Sequence, residues 1–105
     1  MATVSITPIT PAKIWSEGVN STTNYERLFD AAGRKIRVRI HVESYVDQSH
    51  GYADLFDASS GKWNPIASTS GVLLKATTRS TREDKSAFDR DVAALLVEVS
   101  LILSA

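Results

Sequence analysis

Arg37, Arg39, His41 and Tyr45 occupy odd-numbered positions of one stretch, with the aliphatic residues Ile36, Val38, Ile40 and Val42 between them. These residue types suit an anionic, ring-bearing partner. A guanidinium meets a phosphate through two parallel N–H bonds, and imidazole and phenol rings stack on unpaired bases. Lys75, Thr77 and Arg79 alternate in the same way later in the chain and extend the candidate nucleic-acid surface. Tyr25 and Arg27 are expected to join it. Glu43 and Asp54 fall on the same surface and oppose an anionic partner unless neighbouring arginines neutralise them.

No comparable case exists for catalysis. Asp89 and Asp91 are two positions apart on a helical pattern and do not share a face. The serines lack the Gly-x-Ser-x-Gly setting of a nucleophile elbow. The absence of cysteine removes disulfides, thiolate chemistry and cysteine metal sites together. His41 and His50 show no metal-ligand spacing, and no glycine-rich loop is built to cradle a phosphate. The expectation is a non-enzymatic protein with no cofactor, no metal and no small-molecule substrate.

The elements that must position these residues read as strands followed by one helix. Ile36, Val38, Ile40 and Val42 alternating with Arg37, Arg39, His41 and Glu43 describe a strand with one buried and one polar face. Before it, Asp30-Ala31-Ala32-Gly33 reads as a hairpin turn. Pairing Asp30 with Arg34 puts Leu28 opposite Ile36 on the buried face, and Tyr25, Arg27 and Phe29 on the polar one. Residues 1–20 read as an N-terminal β-hairpin, with Pro8 and Pro11 keeping it at an edge or a turn and Lys13–Glu17 as its returning strand. Asn20 to Asn24 reads as a loop. Tyr25-Glu26-Arg27-Leu28-Phe29-Asp30-Ala31 is echoed by Tyr52-Ala53-Asp54-Leu55-Phe56-Asp57-Ala58, which suggests two similar hairpins. Lys62 to Ala67 reads as a short strand broken by Pro65, Ser68 to Gly71 as a tight loop, and Val72 onward as a last strand ending near Arg79.

The period then changes. Ser80 and Glu83 fit a capping box, and Phe88, Val92, Leu95, Leu96, Val99 and Ile102 recur at helical spacing. From Val92 to Leu103 only Glu98 and Ser100 are polar, so the helix of residues 81–104 is apolar on nearly every side. A single small sheet covers one side of such a helix. The economical answer is a homodimer with those six residues at its interface.

Composition agrees with one domain over residues 1–105. The chain is 43% hydrophobic and 23% charged, ordinary for a globular protein. No run approaches the roughly 18 apolar residues of a membrane span, and Met1 to Ser5 lack the pattern of a secretion signal. Twelve basic and twelve acidic residues cancel, but their placement is uneven. Arg27, Arg34, Lys35, Arg37 and Arg39 stand against Asp30 alone, whereas acids dominate from Glu83 to Glu98. A neutral chain can therefore carry a basic patch.

The segment Ser80-Thr81-Arg82-Glu83-Asp84-Lys85-Ser86-Ala87-Phe88-Asp89-Arg90-Asp91-Val92-Ala93-Ala94-Leu95-Leu96 resembles the C-terminal helix of single-stranded RNA bacteriophage (levivirus-like) coat proteins. The shared features are the Ser-Thr cap, acids in the first turn, Ala-Phe one turn later, an arginine, and the Ala-Ala-Leu-Leu run. The resemblance implies an α+β fold: an N-terminal β-hairpin, an antiparallel sheet of about five strands over residues 24–79, and a C-terminal helix packing in an intertwined dimer. It implies a structural subunit that assembles into an icosahedral shell and binds genomic RNA on the inner sheet face, including an operator hairpin in several family members. Its partners are then further copies of itself and single-stranded RNA, and its place is the virion, assembled in the host cytoplasm. The RNA-contacting residues expected on this basis are Arg37, Arg39, His41, Tyr45, Lys75, Thr77 and Arg79. The competing expectation is a small non-enzymatic regulator or inhibitor from a mobile element that binds another protein through a sheet edge or the helix.

Overall fold

In a computed structural model the chain is described at residues 4–17, 22–43, 48–72 and 81–104. Six strands form one antiparallel sheet: β1 (Ile6–Pro8), β2 (Lys13–Glu17), β3 (Thr22–Ala31), β4 (Arg34–Glu43), β5 (Gln48–Asp57) and β6 (Lys62–Val72). One helix follows, α1 (Thr81–Ser104). The strand order is β1-β3-β4-β5-β6, with β2 also paired to β3. The architecture is α+β, with α1 laid across one face of the sheet.

β4 fixes the two faces. Ile36, Val38, Ile40 and Val42 are fully buried, and Arg37, Arg39 and His41 alternate onto the opposite side. Against the aliphatic face pack Tyr25, Phe29 and Ala31 of β3, Ala53 of β5, and Ala87, Phe88, Leu95 and Val99 of α1. Leu95 sits directly over Gly51: a Cβ at that position would lie 3.0 Å from Leu95 Cδ1 and 3.1 Å from Thr69 Cγ2. The missing side chain is what lets the helix lie this close to β5. Gly51→Val is therefore expected to lower stability by about 1–3 kcal/mol through overpacking, read in urea melts. Gly71→Ala, which meets the end of the half-exposed Arg90 side chain and Ser49 Oγ, should cost less, about the hydrogen bond between those two side chains.

Four expectations need correction. The N-terminal hairpin does not form. β1 and β2 pair with β3 rather than with each other, Ile6 to Pro8 along Phe29 to Ala31 and Lys13 to Glu17 along Thr22 to Glu26. They are two pieces of one edge strand running in the same direction. The prolines interrupt it, and Thr10 splices it: its Oγ1 accepts the Leu28 N–H at 3.1 Å and its carbonyl accepts Arg27 Nε at 2.8 Å. Of the loop expected at 20–24, residues 22–24 belong instead to β3, which begins at Thr22, and residues 20 and 21 lie outside the described residues.

The β3–β4 register is one residue away from the expected one. Ala31 pairs with Arg34 and Phe29 with Ile36. The turn is the two residues Ala32 and Gly33, both left-handed at φ 53° and 82°, as the turns that match strand twist require. A slip of one residue exchanges the faces of a strand. Tyr25, Arg27 and Phe29 thus lie on the helix side, where Tyr25 stacks on Phe88 at 5.5 Å. Burial pushes the Tyr25 hydroxyl above its ordinary pKa, opposed by its hydrogen bond with Arg27.

The sheet's last described strand, β6, runs unbroken through the expected loop at Ser68 to Gly71. Ser68 pairs with Tyr52 and Ser70 with His50, so the small polar side chains belong to a ladder. Pro65 is accommodated by a bulge: the register shifts between Ala53 and Asp54, leaving Ile66 as the extra residue. β6 is also an edge of the sheet, where a missing N–H costs little. The strand expected to continue to Arg79 and the Ser80 cap fall at 73–80, outside the described residues.

The helix, finally, covers its own sheet. Its N-terminal half is fastened by Arg90, whose Nη2 donates to Ser49 Oγ at 3.0 Å. Its outer side remains apolar and open, with Val97 and Leu101 each 62% exposed and Ile102 39% exposed. Among the described residues, no helix is long and apolar enough to cross a membrane.

Candidate nucleic-acid interface

The sheet face opposite α1 is open, with no described element packed over it. Strand pairing assembles it from distant parts of the chain. β4 supplies Lys35, Arg37, Arg39, His41 and Glu43. Opposite them on β5 stand Asp54 (to Arg37), Tyr52 (to Arg39), His50 (to His41) and Gln48 (to Glu43). β3 supplies Asn24, Glu26, Leu28 and Asp30, β2 adds Lys13 and Trp15, and β6 adds Trp63 beside Phe56.

Asp54 organises the centre. It is 1% exposed, and its Oδ2 accepts from Arg37 Nε at 3.0 Å and Arg39 Nε at 2.8 Å, while Oδ1 accepts from Arg39 Nη2 at 3.2 Å. One carboxylate thus holds two guanidinium groups and neutralises one of their two charges. Each guanidinium also lies against a ring: Arg37 is 4.8 Å from the Trp63 centroid and Arg39 is 5.4 Å from that of Tyr52. Phe56 supports Trp63 at 5.1 Å, and His41 lies 6.2 Å from Tyr52. Cations placed over aromatic faces are attracted by the ring quadrupole. The outcome is two chains of contacts, Phe56 to Trp63 to Arg37 and His41 to Tyr52 to Arg39, joined through Asp54. The arginine N–H groups not bound to Asp54 have no protein acceptor among the described residues.

The two carboxylates that opposed the expectation are both engaged. Asp54 is held as above, and Glu43 Oε2 lies 3.5 Å from His50 Nε2. His41 Nδ1 is hydrogen-bonded to Asn24 Oδ1. The face is nevertheless not strongly basic. Lys13, Lys35, Arg37 and Arg39 share it with at least as many carboxylates, Glu26, Asp30, Glu43 and Asp54 among them.

Of the residues expected to contact RNA, Arg37, Arg39 and His41 share this face, while Tyr45, Lys75, Thr77 and Arg79 lie outside the described residues. Tyr25 and Arg27, expected beside them, are on the other side. Asp54, expected on this surface with neighbouring arginines as its possible partners, is found there paired with Arg37 and Arg39, whereas Tyr52, Trp63, Phe56, Trp15 and His50 escaped notice as members of the site. Tyr52, Asp54 and Phe56 sit two apart in the repeated segment, and that period-2 spacing is the signal that marks them as one face. Of the expected dimer residues, Phe88, Leu95 and Val99 belong to the chain's own core, Val92 and Leu96 are half-buried, and Ile102 is exposed. Val97 and Leu101, the most exposed large apolar residues of the helix, were not among them.

The described residues bring no three or more histidine, aspartate or glutamate side chains into a metal-binding group. No protein-family model, curated protein or solved structure matches the chain.

Proposed function

We propose that this protein is a self-assembling structural subunit of the coat-protein type that binds single-stranded RNA on its open sheet face. The observation that carries the reading is the Arg37–Asp54–Arg39 unit stacked between Trp63 and Tyr52. A guanidinium held in place by a buried carboxylate loses little freedom on meeting a phosphate, and its neighbouring ring offers a surface on which an unpaired base stacks. Two guanidinium groups so prepared, with rings on either side, suit a flexible single strand better than a rigid duplex, whose bases are already stacked.

Self-association is the other half of the proposal. The β6 edge has no charged side chain between Trp63 and Val72, and beyond Pro65 and the bulge its run from Ala67 to Gly71 offers backbone groups for pairing with a second chain. The outer side of α1 adds Val97, Leu101 and Ile102. Those same two features favour the second reading, a regulator that captures another protein. One experiment divides them. Expressed alone and purified without nuclease, a coat-type subunit should sediment as uniform particles whose absorbance at 260 nm exceeds that at 280 nm. A small RNA-free species at every concentration would sink the coat reading and favour the regulator.

A further inference from the structure

Both tryptophans of the chain stand on the open face, toward opposite corners of it. Trp63 on β6 pairs with Phe56, close to the Ile36 end of β4, whereas Trp15 on β2 is level, through Asn24, with His41. We propose that one unpaired RNA strand crosses this face diagonally, from Trp63 over the Arg37–Arg39 pair to the edge at Trp15. This rests on the reading of the open face as an RNA surface and gives the strand a path and a length.

The carboxylates mark out the path. Strand pairing lays the face out in rows across the sheet, and the row of Ser70, His50, His41, Asn24 and Trp15 contains no acid. The row on one side holds Glu26 between Arg39 and Lys13, and Asp30 lies farther along β3. The row on the other side holds Glu43, with Glu17 at its β2 position. A polyanion is repelled from both flanks, which leaves one lane to the β2 edge. At the opposite corner β6 carries no acid between Trp63 and Val72, and Asp54 is already held by both arginines. The strand enters beside Trp63, meets the two guanidinium groups, and leaves along the acid-free row.

The two ends carry the same pairing of cation and indole. Arg37 lies 4.8 Å from the Trp63 centroid, and Lys13 Nζ lies 5.2 Å from that of Trp15. Both tryptophans keep part of their surface open to solvent, so a base stacks there while the adjacent cation meets its phosphate. β2 and β6 are separated by β3, β4 and β5, and the offset along the strands puts the two indoles roughly 25–30 Å apart. An extended strand covers that distance with about five nucleotides, at the low end of the site sizes of sequence-tolerant single-strand binders. A shorter fragment reaches the arginine pair and Trp63 only.

The test follows the two indoles separately. Because the chain has two tryptophans, Trp15→Phe leaves Trp63 as the sole indole reporter, and Trp63→Phe leaves Trp15. Each variant is titrated with three- and eight-nucleotide oligouridylates while its fluorescence is recorded. The short strand should quench Trp63 and leave Trp15 almost unchanged. The long strand should quench both, and wild type should bind it about tenfold or more tightly than the short one, the gain from one further stacked base. In wild type, an eight-nucleotide strand containing 4-thiouridine should cross-link to peptides holding Trp63 and to peptides holding Trp15, a readout that needs neither variant. A Trp15 that stays silent with the long strand, or that answers the short one as Trp63 does, would overturn the diagonal path and leave the RNA surface standing. No binding of either strand by wild type would overturn the RNA surface itself, and the path with it.

Discussion

Replacing Arg37 and Arg39 together by alanine is expected to lower the unfolding free energy by roughly 3 kcal/mol and to weaken RNA binding at the same time. The stability loss comes from Asp54. With both guanidinium groups gone, a carboxylate with 1% exposure is left in the sheet without a counter-ion. The loss falls at the low end for a broken buried pair because the two arginines are themselves 25% and 35% exposed, so water already reaches the pair. The triple variant carrying Asp54→Asn as well removes the stranded charge and should recover most of the lost stability, while its RNA affinity stays low.

For every phosphate that the variants no longer neutralise, the slope of log affinity against log salt should fall by about one unit. Urea melts and a salt series on the three proteins separate the two effects. A double variant as stable as wild type would mean that Asp54 does not depend on its arginines. A triple variant that binds RNA with the wild-type affinity and slope would remove these arginines from the interface.

The same carboxylate shows where sequence reasoning stops. The alternation Ile36, Val38, Ile40, Val42 is local, and it locates the strand, its buried face and the side taken by Arg37, Arg39 and His41 without help from the rest of the chain. The helix is legible for the same reason, but a run apolar on nearly every side does not say which face turns inward: Phe88, Leu95 and Val99, expected at a dimer interface, belong to the chain's own core. What pairs with β4 is not local. Asp54 lies 17 residues from Arg37, and its role depends on a register that no single segment states.

The β3–β4 register illustrates the difficulty at its smallest scale. It turns on Ala32 adopting φ 53°, a conformation that alanine does not advertise as Asn-Gly or Asp-Gly would. Counting the turn one residue differently moves Tyr25, Arg27 and Phe29 to the wrong face. β6 is hidden by composition instead. Ser68, Thr69, Ser70 and Gly71 resemble a loop until the ladder with β5 supplies the partners for their backbone groups, and Pro65 resembles a break until the bulge absorbs it.

Changing Val97 and Leu101 together to lysine is expected to abolish self-association, weakening it a hundredfold or more (about 2.7 kcal/mol), while the folded chain keeps its stability. The two residues are one turn apart on the solvent side of α1 and each is 62% exposed, so nothing in the chain's own core depends on them. The final turn of α1 has no basic residue, and cations near a helix C-terminus interact favourably with its dipole. Lysine at 101 should therefore leave the single chain neutral or slightly stabilised. At an interface the same ammonium groups are costly, because burying an unpaired charge has no compensation.

Leu95→Ala is the counterpart on the inner face. Leu95 is 1% exposed and rests on Gly51, so its truncation should cost about 2–5 kcal/mol in unfolding free energy. Any failure of assembly there follows from the weakened fold rather than from the interface. Sedimentation velocity over a concentration series, paired with thermal melts, tells the outcomes apart. The lysine variant should melt like wild type and sediment as a single chain. If it assembles as wild type does, the apolar outer side of α1 is solvent-facing in the assembly. Chain pairing would then rest on the β6 edge, where its uncharged run of backbone donors and acceptors is the remaining surface suited to a second copy.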